Sequence, residues 1–317
     1  MKHEIIIGDC LDSLAELPPD TFQTCITSPP YYQLRDYGVN GQIGLEDSLE
    51  EHISTLVDVF RAVRRVLRPD GTLWLNYGDK YAGGVCGGGS PVDDRKPEYG
   101  RRASPGDKVR GRFSGRSTLG EGFKAKDLMG LPWRLAFALQ ADGWWLRSDI
   151  IWHKPNPMPS SVTDRPTSSH EYMFLLSPSQ KYFYDADAVR EKAVSTHGSG
   201  NGYKRSCRIS IDGRGSDEPY TPQEHRNLRD VWTIPTQPLS AAHFATFPPR
   251  LVEPCIKAGS RPGDKVLDPF GGAGTVGLVA DRLGRDSTLL ELNPEYAELA
   301  RKRLIDDAPL LCEVKIL

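Results

Sequence analysis

Two short stretches of this 317-residue chain carry residue types able to do chemistry. The first is FQTCITSPPYYQLRDYG at 22–38, where an apolar run ends in Ser28-Pro29-Pro30-Tyr31-Tyr32. Proline has no N–H, so the corner is rigid and offers carbonyl oxygens without competing donors. A hydroxyl precedes it and two aromatic rings follow in what reads as a loop, so the rings are expected to be exposed.

The second stretch is GDKVLDPFGGAGTVGLVADRLGRDSTLLELNPEY at 263–296. A strand is expected to end at Asp268, glycines 271, 272 and 274 to make a tight turn, and a helix to start near Thr275. A second strand should end at Glu291. Glycines there let a backbone approach a ligand, a helix N-terminus faces it, and an acid about 20 residues on suits a ribose. Three ligand classes compete. A nucleoside triphosphate wants a phosphate-binding lysine, and none lies between 266 and 291. A dinucleotide pyrophosphate would be repelled by Asp268 at the strand tip. S-adenosylmethionine has no phosphate and carries a sulfonium, an ammonium and a ribose diol, which acidic strand tips suit.

Regular elements must hold these two stretches. HEIIIGD reads as a strand, CLDSLAEL as a helix stopped by Pro18-Pro19, and TFQTCITS as the strand entering the proline corner. Leu49, Ile53, Leu56, Val57, Phe60, Val63 and Leu67 fit a helical period, with Pro69-Asp70-Gly71 as the expected stop. GTLWLNYGD, LMGLPWRLAFALQADG and WWLRSDIIWHK read as strand, helix and strand, and EYMFLLSPSQKYFYD as a hairpin turning at Ser-Pro-Ser. The last block alternates helix PPRLVEPCIKAGS, strand, helix TVGLVADRLG, strand, helix PEYAELARKRLI and a short final strand. Strands alternating with helices of this length predict a parallel sheet.

Composition is ordinary for a globular chain, 38% hydrophobic and 26% charged, with a net charge of −2. The charge is unevenly placed: residues 95–126 hold ten Lys and Arg against three Asp and Glu. A basic segment on an acidic body suggests a positioned contact with an anion. The six cysteines form no CxxC pair, which fits a reducing compartment and predicts neither a disulfide framework nor a zinc site. No signal peptide or membrane span is expected, so the chain is read as cytoplasmic.

TSPPYY followed far downstream by LDPFGGAGTVG resembles the beta arrangement of the DNA amino-methyltransferases, which methylate N4 of cytosine or N6 of adenine. The resemblance covers most of the chain and implies an α/β fold: a Rossmann-like, doubly wound, mostly parallel seven-stranded methyltransferase sheet with loop insertions for DNA recognition. It implies S-adenosylmethionine as cofactor, double-stranded DNA as substrate and no metal. Ser28, Pro29, Pro30 and Tyr31 would be catalytic. The hydroxyl and the Pro29 carbonyl would accept the amine's N–H groups and localise its lone pair, while Tyr31 stacks on a flipped base. Asp9 would take the cofactor's adenine amine and Glu291 its ribose. Asp268, Phe270, Gly271, Gly272, Gly274, Thr275, His243 and Phe247 complete the implied cofactor site, the last two residues coming from HFATFPPRL. Ser before the prolines leans to cytosine, with adenine as the alternative; a non-catalytic DNA-binding module and a protein or RNA amine methyltransferase are the weaker readings. Pro254-Cys255 echoes the nucleophile of cytosine-C5 enzymes, but it falls in an expected helix and reads as packing.

The catalytic half is expected at 1–79 and 127–188, and the cofactor half at 238–317. Between them, 80–126 is a Gly/Arg-rich insertion whose Arg101, Arg102, Lys108, Arg110, Arg112 and Arg116 would clamp phosphates. Residues 189–237 would form the target-recognition region, with Lys204, Arg205 and Arg208 able to contact DNA. A cognate restriction endonuclease, and a monomer or homodimer, are the partners the resemblance implies.

Overall fold

The computed structural model describes residues 1–83, 122–193, 224–237, 247–309 and 312–317. The expected DNA contacts Arg101, Arg102, Lys108, Arg110, Arg112, Arg116, Lys204, Arg205 and Arg208, and the cofactor residue His243, lie outside the described residues.

The chain alternates strand and helix from its start. β1 (Lys2–Ile7), α1 (Cys10–Glu16), β2 (Phe22–Thr27), α2 (Leu49–Val66) and β3 (Leu67–Tyr77) form the first part. α3 (Leu131–Ala141), β4 (Trp145–His153) and β5 (His170–Ser177) follow, then three short strands: β6 (Glu191–Lys192), β7 (His225–Arg226) and β8 (Val231–Thr233). α4 (Pro249–Gly259), β9 (Lys265–Asp268), α5 (Thr275–Arg282), β10 (Asp286–Glu291), α6 (Pro294–Asp307) and β11 (Glu313–Ile316) complete it.

Among the described residues the main sheet has nine strands, in the order β11-β1-β10-β9-β2-β3-β5-β4-β8. All run parallel except β5, which is antiparallel to both β3 and β4. The seven strands of the expected sheet are the inner seven; β11, the short final strand, and β8 extend the two edges. β8 has no signature in the sequence, because three residues inside a polar stretch carry no period. β2 lies between β9 and β3 and is buried along its whole length, which explains its unbroken FQTCIT run.

Helices cover both faces. On one side, α1, α2 and α3 bury Leu14, Leu56, Phe60, Val63 and Leu135 against Phe22, Leu73 and Phe174. On the other, α4, α5 and α6 bury Leu251, Val276 and Ala297 against Ile5, Ile26 and Leu289. Each large apolar side chain among these contributes about 1.5–3 kcal/mol by leaving water. α2 starts where Ser48 accepts the Glu51 N–H, with Glu50 and Glu51 in its first turn and Arg64 and Arg65 in its last, all favourable to the helix dipole.

In two places the elements differ from those the sequence predicts. Pro69-Asp70-Gly71 does not end α2; the helix stops at Val66 and those residues already belong to β3. Leu67 pairs with Phe22 and a register shift before Thr24 absorbs the irregularity. EYMFLLSPSQKYFYD is not a hairpin either. Both edges of β5 are taken by β3 and β4, so the chain after Ser177 has no edge to join. It leaves the sheet, and the Phe183 N–H bonds the Asp70 carbonyl at 2.8 Å.

Candidate active site

The C-terminal ends of the parallel strands and the start of antiparallel β5 meet at one rim of the sheet. In strand order that rim carries Asp9 after β1, Glu291 at the end of β10, Asp268 at the end of β9 and Ser28 after β2. Asn76 on β3, Glu171 on β5 and Lys154 after β4 continue it. Open α/β sheets place ligands at this rim. Here it borders a cavity of about 720 Å³ lined by all seven of these residues.

One side of the cavity is built from the glycine turn. Thr27 donates to Asp268 Oδ1 at 2.7 Å, and the Phe270 N–H donates to the same oxygen at 3.1 Å; the first bond ties residues 241 positions apart. Asp268 is almost fully buried. Burial pushes its carboxyl up to about 7, against the two donors, and nearby Glu291 adds to the rise. Glu291 accepts the Gly272 N–H at 2.7 Å and the Asn293 N–H at 2.8 Å. Burial raises its pKa as well. Asp9 caps α1, accepting Leu11 and Asp12 N–H groups with one oxygen. Tyr37, Phe247, Phe270 and Tyr296 supply aromatic wall. Three carboxylates with aromatic walls suit a ligand carrying cationic centres, a ribose diol and an adenine. They fit S-adenosylmethionine and not a triphosphate.

The other side is the proline corner. Ser28, Pro29, Pro30 and Tyr31 all line the cavity. The two tyrosines are not the exposed pair the sequence suggested. Tyr32 is 2% exposed and packs in the core. Tyr31 is half-buried, edge-on to Tyr77 at 4.8 Å between ring centroids. Its hydroxyl donates to Glu171 Oε2 at 3.0 Å and contacts Asn76 Oδ1 at 3.4 Å. Burial, then Glu171, hold its phenol well above the usual range. Gly78 makes this approach feasible, since a Cβ there would lie 2.7 Å from the Tyr31 ring and 3.2 Å from the Glu171 carboxyl carbon.

Most of the expected residues within the described chain therefore come together: Asp9, Ser28, Pro29, Pro30, Tyr31, Phe247, Asp268, Phe270, Gly271, Gly272, Thr275 and Glu291 share one cavity. Gly274 does not line it. Its φ is +74° and a Cβ would sit 2.7 Å from Ala300 Cβ on α6, so that glycine serves helix packing. Cys255 lies buried in α4 with its thiol against the Leu251 carbonyl, 3.3 Å away, and burial holds its pKa well above the thiol range. That is packing, as read from the helix pattern. Asn76, Lys154 and Glu171 belong to the site without any motif to mark them, and Tyr37 and Tyr296 join it from the ends of the two stretches at 22–38 and 263–296. The available signal was positional: each sits at or just beyond a strand or helix end, or in a loop, facing the rim.

Residues 22–302 match the family described as DNA methylase, of the N6/N4 type. The chain is 47% identical over 303 residues to the type II methyltransferase M.SmaI of Serratia marcescens, covering 95% of this chain and 90% of that protein. It is 48% identical over 297 residues to M.XycI of Xanthomonas campestris pv. cyanopsidis, covering 94% and 86%. Among solved structures, PvuII DNA methyltransferase (cytosine-N4-specific) superposes with a TM-score of 0.61 at 18% identity, covering 99% of this chain and 95% of that one. TTHA0409 from Thermus thermophilus, complexed with S-adenosyl-L-methionine, gives 0.60 at 24%, covering 99% of both. These two establish the shared fold. With the family match spanning most of its length, the chain belongs to the N6/N4 DNA methylases.

Proposed function

We propose that this DNA methylase acts on N4 of a cytosine flipped out of duplex DNA. The observation that carries the reading is the joining of Ser28-Pro29-Pro30-Tyr31 to Asp268, Gly272 and Glu291 around a single cavity. S-adenosylmethionine, when bound, supplies an electrophilic methyl group. Everything else is asked of the chain's own residues.

An exocyclic amine is a poor nucleophile because its lone pair is conjugated into the ring. The Ser28 hydroxyl and the Pro29 carbonyl accept its two N–H groups and favour a more tetrahedral nitrogen. The adjacent prolines keep that carbonyl fixed, so little reorganisation is needed. Tyr31 offers a ring on which the base stacks, and Glu171 fixes the ring's azimuth through the hydroxyl. Glu291 and Asp9 are assigned to the ribose hydroxyls and the adenine amine of the donor, and Phe247 to its methionine end. The basic residues of 95–116 are assigned to phosphates and 189–237 to sequence reading, as the charge distribution suggests.

Cytosine is favoured over adenine by Ser28, since this residue before Pro-Pro more often accompanies cytosine in the resembling family. Mixed-sequence duplex DNA is incubated with methyl-labelled S-adenosylmethionine and digested to nucleosides. Label in N4-methyldeoxycytidine is expected. Label in N6-methyldeoxyadenosine would move the assignment to adenine, and no label would remove the transfer reaction.

A further inference from the structure

Beside the proline corner the cavity contains a charged group that the transfer chemistry does not use. Lys154 follows β4, and its ammonium is hydrogen-bonded to Glu171 Oε1 and lies 4.3 Å from the Trp152 ring centroid. Both partners of the ion pair are mostly buried, at 18% and 20% side-chain exposure. Glu171 is a hub. One oxygen holds Lys154; the other takes the Tyr31 hydroxyl at 3.0 Å and the Asn76 amide at 3.4 Å. Asn76 is likewise committed, its amide nitrogen donating to the Tyr172 carbonyl at 3.0 Å and its oxygen facing the Tyr31 hydroxyl. Trp152 spends its N–H on the Ile234 carbonyl at 2.8 Å.

Glu171, Asn76, Tyr31 and Trp152 are thus engaged with one another or with backbone carbonyls, and the lysine only in part. An ammonium has three donors, and among the described residues one is used, on Glu171. Lys154 lines the same cavity as Ser28 and is linked through Glu171 to Tyr31, which follows the prolines of the corner. The corner that holds the acceptors for the target amine is therefore tied to a fixed cationic donor.

We infer that Lys154, held by Glu171, binds the ring-nitrogen and 2-keto edge of the target pyrimidine, so that the subsite selects a 4-amino-2-keto base. This rests on the cytosine reading above. Beside its amine, cytosine carries N3 and then O2, both acceptors. Adenine carries N1 and then a C–H, which leaves one donor unpaired. A buried donor without a partner is penalised more than a formed bond is rewarded, so the missing keto oxygen is what the site reads. Glu171 is a positioning residue here, setting the place of both the lysine and the stacking tyrosine.

The test uses the full chain and two duplexes containing its methylated site. One carries cytosine at the target; the other carries a 2-aminopyridine C-nucleoside, which keeps the amine and ring nitrogen and lacks the keto oxygen. Duplex affinity without donor and single-turnover transfer are both measured, with S-adenosylmethionine affinity by calorimetry as the control for folding. The wild type is expected to prefer cytosine by roughly tenfold or more in affinity and in transfer. Lys154→Met is expected to lose about tenfold on cytosine, to treat the two duplexes within about threefold, and to bind the donor as the wild type does. Wild-type indifference between the duplexes would overturn the subsite without any variant. So would a Lys154→Met protein that keeps the preference. If the wild type places its methyl group on adenine, the cytosine reading falls and the subsite with it. N4-methylcytosine with an unchanged preference overturns the subsite alone.

Discussion

Tyr31 is anchored by its hydroxyl as well as by its ring, and Gly78 leaves the room for this. Adding a methyl group at 78 would force both the ring and the Glu171 carboxyl to move. Gly78→Ala should therefore slow methyl transfer at least roughly tenfold while S-adenosylmethionine affinity, measured by calorimetry, stays within about twofold; about 1 Å of misplacement is enough for such a loss. Asp268 gives a pH signature. Burial pushes its carboxyl up to about 7 from the ordinary 3.8. The raised pKa favours the folded state fully below about 4, and that contribution is lost as pH rises through about 7. A cationic donor prefers the carboxylate, so donor affinity should fall by up to roughly tenfold per pH unit below about 7 and level off above it. Asp268→Asn should flatten that dependence; an unchanged slope would place the titration elsewhere. At this scale the sequence was legible in type but not in environment. SPPYY announced an unusual corner, yet the burial of Tyr32 and the tether on Tyr31 depend on Tyr77, His52 and Glu171, which come from other elements.

The elements were easier to read than their partners. Helical spacing located α2 and α4, and apolar runs located β2, β9 and β10, because those signals are local. The β5 segment failed because Ser-Pro-Ser is a good turn, but whether a returning strand pairs depends on a free edge, and β3 and β4 occupy both. The glycine turn divides between two jobs. Gly271 and Gly272 line the cavity, whereas Gly274 lets α5 meet α6. Gly274→Ala combines a left-handed backbone with a clash on Ala300, so it should cost roughly 2–4 kcal/mol of stability. Chemical denaturation would measure this. A neutral result would mean that α6 can move away from the turn.

Across the whole molecule, the rim gathers residues from both ends of the chain. The two ends of the basic insertion also meet: Tyr81 bridges Leu128, and Ala82 and Asp127 pair through their backbones at 2.8 Å. The insertion therefore leaves and returns at a point next to Asp79 and α3, whose first N–H bonds the Asp79 carboxylate at 3.1 Å. Among the described residues no helix is long and apolar enough to cross a membrane. Deleting residues 95–117 should weaken binding to every duplex and reduce the salt dependence by about one unit of slope for each phosphate no longer neutralised. A weakening confined to one sequence would instead make the segment a reader. Filter binding over a range of salt on two unrelated duplexes distinguishes the outcomes.

The central claim is that a proline corner near one end of the chain and a glycine turn near the other form one active site. The direct measurement compares donor binding and methyl transfer in the Ser28→Ala/Tyr31→Ala double variant, with Cys255→Ser as control. The double variant should bind S-adenosylmethionine within about twofold of the wild type and lose transfer by a factor of about 10³ or more, while Cys255→Ser retains activity. Full transfer by the double variant would contradict the account.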